Sequence, residues 1–141
     1  MNNELKTVTI LFRATDYIRS CIQKDVQRYD LNVTEFGVLE TLYHKGPQSV
    51  HNIKSKVLIA NSSLSYVIDT LIQKSLIRKE KAPQDRRHHI CELTDQGKVL
   101  FDEAYPRHVD QLRSVLDILT SEEEQQLQTL LKKLGKQGSS S

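Results

Sequence analysis

The sequence has few cysteines and no long apolar run, and these absences exclude several classes of protein. Cys21 and Cys91 lie far apart, form no CxxC pair, and belong to no cysteine–histidine run with zinc-finger spacing. The N-terminus lacks the pattern of a signal peptide. No apolar run approaches the roughly 20 residues that a bilayer-spanning helix needs. We therefore expect a soluble protein of the cytoplasm, where thiols stay reduced, with no membrane partner.

The charge of the chain is nearly balanced. Its 141 residues carry 20 lysines and arginines against 18 aspartates and glutamates, so the formal net charge is +2. Any binding to nucleic acid therefore requires a local basic patch, because the whole chain is no polycation. A hydrophobic content of 38% is enough for one packed domain with an accessory element.

Apolar residues recur at helical spacing along most of the chain and predict six helices. The first covers residues 4–29 and is followed by a break. Serine, threonine and asparagine residues precede the later apolar stretches, and their side chains are suited to capping helix N-termini. The expected N-caps are Thr34, Ser49, Asn61 or Ser62, Thr94 and Thr120 for the second to the sixth helix. Between the fourth and fifth helices, residues 76–81 and 88–93 predict a β-hairpin.

This order of elements predicts a winged helix-turn-helix. A short helix and a tight connection lead to a fourth helix with a polar leading edge, and a basic hairpin follows. A helix fits the major groove of DNA and reads base edges with the residues at its N-terminal end. On the fourth helix the candidate base-reading residues are Asn61, Ser62, Ser63, Ser65 and Tyr66. The alternative is an ordinary amphipathic helix with a solvated polar face.

The hairpin concentrates positive charge where DNA phosphates would lie. Five positive and two negative side chains give it a local charge of +3, against +2 for the whole chain. The positive side chains are Arg78, Lys79, Lys81, Arg86 and Arg87, and the negative ones are Glu80 and Asp85. Taken alone, the hairpin could equally be a solvated basic loop. Because it follows the polar-edged helix, the two together favour DNA binding.

Three short segments resemble a known family. Residues 31–36 read LNVTEF, residues 83–87 read PQDRR, and residues 93–97 read LTDQG. Their spacing is similar to the D-x-R…L-T-x-x-G pattern of the MarR family of bacterial transcription regulators, and the resemblance extends over nearly the whole chain. It implies a mainly helical fold with a small β-hairpin wing and long N- and C-terminal dimerisation helices.

The resemblance also implies an organisation and a partner. We expect an N-terminal dimerisation helix over 1–30, a winged helix-turn-helix DNA-binding domain over 31–97, C-terminal dimerisation helices over 98–136, and a flexible tail over 137–141. The chain would act as a homodimer on double-stranded DNA. Arg87 would enter the minor groove, with Asp85 holding the tip of the wing. The other expected DNA contacts are Ser49 and the phosphate-binding candidates Arg78, Lys79 and Arg86.

Regulators of this family respond to small molecules, to cysteine oxidation or to metals. Cys21 lies further along the first helix than the reactive cysteine of the family's peroxide sensors, so we interpret both cysteines as inert. A thiol-based redox sensor remains the alternative. His88 and His89 are adjacent on a strand and face opposite sides, so they cannot chelate together. We expect no metal and no cofactor.

A small aromatic ligand is the expected effector. By resemblance, its pocket lies where the first, second and fifth helices meet, and its lining would be Phe12, Phe36, Glu40 and His108. Aromatic walls with two polar groups suit a phenol or a quinone. Residues 34–46, 65–69 and 105–108 resemble the branch of the family that responds to quinones and hydroquinones. The alternative is that His108 and Glu40 form a packed, hydrogen-bonded pair or are exposed.

The function that these observations predict is a transcriptional repressor. A homodimer would bind a pseudo-palindromic operator and would be released by the aromatic effector. The sequence contains no nucleophile elbow, no P-loop and no Rossmann glycines, so we expect no enzyme. The other alternative is a winged-helix module that binds proteins instead of DNA.

Overall fold

The computed structural model describes residues 5–57 and 63–138, without the side chains of residues 85–87. The helices in these residues are α1 (Lys6–Gln27), α2 (Val33–Lys45), α3 (Val50–Lys56), α4 (Leu64–Gln73), α5 (Asp95–Leu116) and α6 (Ser121–Gly135). The strands are β1 (Gln48–Ser49), β2 (Ile77–Ala82) and β3 (Asp85–Leu93). The predicted mainly helical chain with a small hairpin is therefore confirmed. No described helix is long and apolar enough to cross a membrane.

The hairpin belongs to a three-stranded antiparallel sheet with the order β1-β3-β2. β2 and β3 pair from Ile77 opposite Leu93 to Ala82 opposite Asp85, with an irregularity at Lys81. β3 therefore begins three residues before the predicted strand. The sequence did not predict β1, whose two residues pair with β3 after a sharp turn at Gly46, where φ is 76°.

The N-caps confirm three predictions and correct two. The N-cap residue of α4 is Ser63, and not Asn61 or Ser62, because the helix begins at Leu64. The side chains of Ser49, Thr94 and Thr120 accept hydrogen bonds from the helices that follow them. Thr34 is not the N-cap of α2; it lies inside the helix. Asn32 caps α2 instead, because its side-chain oxygen accepts from the backbone N–H of Glu35 at 2.7 Å while the Glu35 carboxylate accepts from the Asn32 N–H at 2.9 Å.

The core lies where α2, α4, α5 and the base of the hairpin meet, with one end of α1 packed against it. Its largest fully buried apolar side chains are Phe101, Leu39, Ile53, Ile68, Leu71 and Ile77. A partly buried ion pair also joins the start of α2 to the end of α4: Lys74 Nζ lies 2.9 Å from Glu35 Oε2 and donates to the Asp30 carbonyl at 2.7 Å.

Two places in the fold lie at the expected ends of the DNA-binding domain and of the C-terminal helices. Gly97, in the first turn of α5, lies so close to the hairpin that an added Cβ would be 2.1 Å from the Leu76 carbonyl oxygen. The wing base and α5 therefore pack as one body at residue 97. At the other end, Lys136–Gly138 form a 3-10 turn directly after α6, so two residues of the expected tail have regular structure.

Candidate nucleic-acid interface

The outer face of α4 is the first part of the candidate interface. The inner face is fixed because Leu64, Val67, Ile68 and Leu71 are buried in the core. Ser65 and Tyr66 therefore point outward, and Tyr66 is 72% exposed. Ser63 is exposed just before the helix as its N-cap residue. Asn61 and Ser62, the other expected base-reading residues, lie outside the described residues.

α3 packs against β1, β3 and α2, and Ser49 is its N-cap. Ser49 lies in β1, and its Oγ accepts from the Asn52 backbone N–H at 3.0 Å. Its hydroxyl therefore has a structural role at the start of α3, and its contact with DNA stays a prediction.

The wing has two faces of different charge. Residues directly opposite one another in an antiparallel pair share a face, and successive residues alternate. Lys79 and Lys81 therefore share one face with Cys91 and His89, the residues opposite them. This face turns toward the protein at its base, where Ile77 and Cys91 are buried.

The other face of the wing is acidic. Arg78 lies opposite Glu92, and its Nε donates to Glu92 Oε1 at 2.6 Å. That hydrogen bond and the charge of Glu92 raise the pKa of Arg78, and the charges of Glu80 and Asp95 add to the effect. Arg78, a predicted phosphate contact, therefore stands among three carboxylates in the free chain.

Lys79 also has a carboxylate partner, and this one lies on α4. Its Nζ is 3.9 Å from Oδ1 of Asp69, an exposed residue on the outer face of the helix. Sequence reasoning missed Asp69, although its position one turn after Ser65 places both on one helix face. The pair connects the two surfaces that would meet DNA.

The tip of the wing carries the remaining predicted contacts. Ala82 pairs with Asp85, so Pro83 and Gln84 form the turn. Asp85, Arg86 and Arg87 form the start of β3. Their side chains lie outside the described residues, so their roles at the minor groove and the phosphates stay predictions.

The predicted effector residues are only partly brought together. The rings of Phe36 and His108 lie with their centroids 4.4 Å apart. Glu40 is half-buried one turn further along α2. Phe12 is 63% exposed and lies about 20 Å along α1 from the end that meets His108, at 1.5 Å per residue. Within one chain, Phe12 therefore does not join the other three.

His108 has a buried partner that the sequence did not reveal. Its Nδ1 lies 2.7 Å from Oδ2 of Asp25, and the two residues are 6% and 2% exposed. His108 is thus packed and hydrogen-bonded, but to Asp25 on α1 rather than to Glu40. The signal was an acidic residue within the apolar stripe of α1, between Ile22 and Tyr29.

Two polar atoms beside this pair have no hydrogen-bond partner. They are the buried atoms Asp25 Oδ1, near the end of α1, and Tyr29 Oη, in the turn that follows the helix. Buried polar atoms are almost always paired with protein or water, so an orphaned carboxylate oxygen marks a place where a donor fits. The polar cluster lies at the contact of α1 with α2 and α5.

The two cysteines lie in different surroundings: Cys91 is buried and Cys21 is half-buried. Burial raises the pKa of the Cys91 thiol, partly offset by the charge of Lys79, which disfavours the reactive thiolate. Cys21 is half-buried on α1, where its hydrogen bond with Tyr17 raises the pKa of that phenol. No three described His, Cys, Asp or Glu residues lie together as metal ligands would.

Comparison with known sequences identifies relatives of this chain. Residues 31–89 match the MarR family. The HTH-type transcriptional regulator MhqR of Bacillus subtilis is 37% identical over 131 residues, which cover 93% of this chain and 90% of MhqR. The HTH-type transcriptional regulator PecS of Dickeya dadantii is 31% identical over 129 residues, covering 89% of this chain and 78% of PecS.

Solved structures share the fold. Sco3205 of Streptomyces coelicolor, a MarR family transcriptional regulator solved in complex with DNA, superposes with a TM-score of 0.89 at 23% identity. The match covers 100% of this chain and 95% of that one. BpsR of Bordetella bronchiseptica, whose DNA binding is regulated by 6-hydroxynicotinic acid, gives a TM-score of 0.84 at 24% identity over 96% of each chain.

The buried position of Asp25 gives a stability prediction. Asp25→Ala leaves His108 buried without its partner, and breaking a buried pair in this way costs about 3–5 kcal/mol. The matched control is Asp117→Ala, which removes a 64% exposed carboxylate that lies 2.9 Å from Arg113; an exposed pair is worth about 1 kcal/mol or less. Urea unfolding at fixed protein concentration measures both. Equal losses in the two variants would show that the Asp25–His108 bond contributes no more than a surface pair.

Proposed function

Because this chain belongs to the MarR family, we propose that it is a repressor that binds a pseudo-palindromic operator as a homodimer in the cytoplasm and is released by a small aromatic effector. The coarser function follows from its relatives: it is a winged-helix, DNA-binding transcriptional regulator and not an enzyme. The observation that carries the finer proposal is the exposed polar face of α4 beside the lysine-bearing face of the wing.

The proposed DNA contacts fall into two groups. The end of α4 enters the major groove and reads bases, and the wing follows the phosphates into the adjacent minor groove. The base-reading group is Asn61, Ser62, Ser63, Ser65 and Tyr66, with Ser49 beside it. The wing group is Arg78, Lys79, Arg86 and Arg87, with Asp85 supporting the tip. A narrow minor groove has an enhanced negative potential, which favours an arginine at the position of Arg87.

The proposed dimer is supported by apolar surface at both ends of the chain. α6 buries no residue within the single chain. Its exposed leucines are Leu127, Leu130, Leu131 and Leu134, and α1 adds exposed Leu5, Val8, Ile10 and Phe12. Apolar surface of this extent marks an interaction site. A second copy is the proposed occupant because a two-fold dimer presents two identical α4 helices to a pseudo-palindromic site.

The proposed effector site is the contact of Phe36, His108 and Asp25. The ring of Phe36 provides an aromatic wall against His108. The unpaired Asp25 Oδ1 is an acceptor for the hydroxyl of a phenol or hydroquinone. The site joins α1 and α5 to α2 of the DNA-binding domain. A ligand that prefers a separation of these helices unsuited to both half-sites would therefore release the operator.

DNA binding is tested with a duplex selected from a random pool. We expect wild-type affinity to fall steeply with salt, because bound lysines and arginines release counterions. Arg87→Ala should weaken binding by about tenfold or more at fixed salt. Arg107→Ala, which removes an exposed arginine of α5, is the control and should bind like wild type. Absence of duplex binding at low salt would favour the protein-interaction module, and unchanged affinity of Arg87→Ala would refute the role of that residue.

The dimer is tested by charging its apolar face. Leu130→Lys places a cation on the exposed face of α6 and should shift the protein from dimer to monomer, because a buried charge without a partner is costly. Val99→Lys, at an exposed apolar position early in α5, should leave the dimer intact. Sedimentation equilibrium measures both masses. A dimer that survives Leu130→Lys at low micromolar concentration would contradict the proposed interface.

The effector is tested with hydroquinone and catechol in two assays. Bound ligand at 100 times its Kd should stabilise the protein by about 2.7 kcal/mol and raise its Tm, and the same ligand should release the selected duplex. Phe36→Leu keeps an apolar side chain but removes the aromatic wall, so it should weaken both responses. Wild-type protein that shows neither a Tm shift nor release would count against an aromatic hydroxyl compound as effector.

A further inference from the structure

The cations of the wing are paired with carboxylates on two different elements. Arg78 is held by Glu92, which lies directly opposite it on the adjacent strand of the wing. Lys79 is held by Asp69, which belongs to α4. The first pair lies within the sheet, whereas the second connects the recognition helix to the wing. The two pairs therefore differ in what a DNA phosphate must displace.

Asp69 places a carboxylate on the surface that is proposed to meet DNA. It lies on the exposed side of α4, the side of Ser65 and Tyr66, with its side chain 64% exposed. A carboxylate there repels phosphates, and its attraction for Lys79 competes with theirs. The Lys79 side chain is 34% exposed, so its reach toward solvent is limited while Asp69 holds it.

We propose that Asp69 is a specificity-determining residue. It pairs with Lys79 in the free protein, and a DNA phosphate replaces it only on a duplex that fits both α4 and the wing. The inference rests on the proposed DNA binding. Non-specific affinity comes almost entirely from phosphate contacts, so removing one available cation lowers it directly. On a matched duplex, base contacts fix α4 close to the backbone, and phosphate displaces the carboxylate there.

The main experiment measures binding of full-length Asp69→Asn to two duplexes of 30 base pairs, one of mixed sequence and one selected from a random pool. We expect the variant to bind the mixed sequence about two- to fivefold more tightly, the range that corresponds to losing an exposed ion pair. The slope of log K against log salt should become steeper by about 0.9, one additional phosphate contact. Affinity for the selected duplex should rise less, so the ratio of specific to non-specific binding falls.

The matched control is Asp117→Asn. Its carboxylate is also 64% exposed and paired with a cation, Arg113, but it lies at the end of α5. The variant has the same net charge as Asp69→Asn and should bind both duplexes like wild type. An equal gain in the two variants would overturn the inference, because it would show an effect of overall charge. Sedimentation checks that each variant keeps the oligomeric state of wild type.

A double-mutant cycle separates masking of Lys79 from simple repulsion of DNA by Asp69. Lys79→Gln should reduce the salt slope on the selected duplex by about 0.9. In the Lys79→Gln background, Asp69→Asn should change affinity for the mixed sequence by much less than in wild type. The same gain with and without Lys79 would overturn the inference.

Failure of the inference and failure of the proposed function give different results. Wild-type protein that binds neither duplex at low salt overturns the proposed DNA binding and this inference together. Wild-type protein that binds with a steep salt dependence, while Asp69→Asn keeps the wild-type ratio of specific to non-specific affinity, overturns the inference alone.

Discussion

A buried hydrogen bond between Asp25 and His108 joins the two long helices α1 and α5. Taking a carboxylate and an imidazole out of water is costly unless each satisfies the other, so the bond fixes one alignment of α1 against α5. Phe36 packs on the imidazole and brings α2 into the same contact. α1 carries part of the proposed dimer face, α5 leads into α6, which carries the rest, and α2 begins the DNA-binding domain. A change at this contact would therefore alter the placement of the dimer face relative to the DNA-binding domain.

The second constraint is the burial of one side of α4. Because four apolar residues on that side are buried in the core, the opposite side faces solvent. β2 packs beside the helix. The twist and pairing of β2 and β3 then place the two lysines on one face and Arg78 with two glutamates on the other. The electrostatic pattern of the wing is therefore a consequence of core packing and strand register, with no residue placed by charge alone.

A structural feature could be predicted from the sequence when the residues that cause it are neighbours along the chain. Ser49, Thr94 and Thr120 were predictable as N-caps because a cap depends on the next three residues. Thr34 was a wrong prediction because α2 begins two residues earlier than that cap requires, where Asn32 and Glu35 form a reciprocal capping box. Asp25 and Asp69 could not be assigned, because their partners lie on other elements and only the folded chain brings them together. β1 has only two residues, too few for an alternating pattern to predict a strand.

The near-neutral charge of the chain has a consequence for how release from DNA could work. The net charge of the chain is +2, and in the wing Arg78 and Lys79 are paired with carboxylates before DNA binds. Binding of one half-site alone is then weak, and tight binding of the proposed dimer requires both half-sites at once. A small change in the separation of the α4 helices removes the second contact and most of the affinity. A subtle rearrangement around Phe36 and His108 would therefore suffice for the proposed release, whereas a strongly basic domain would stay bound.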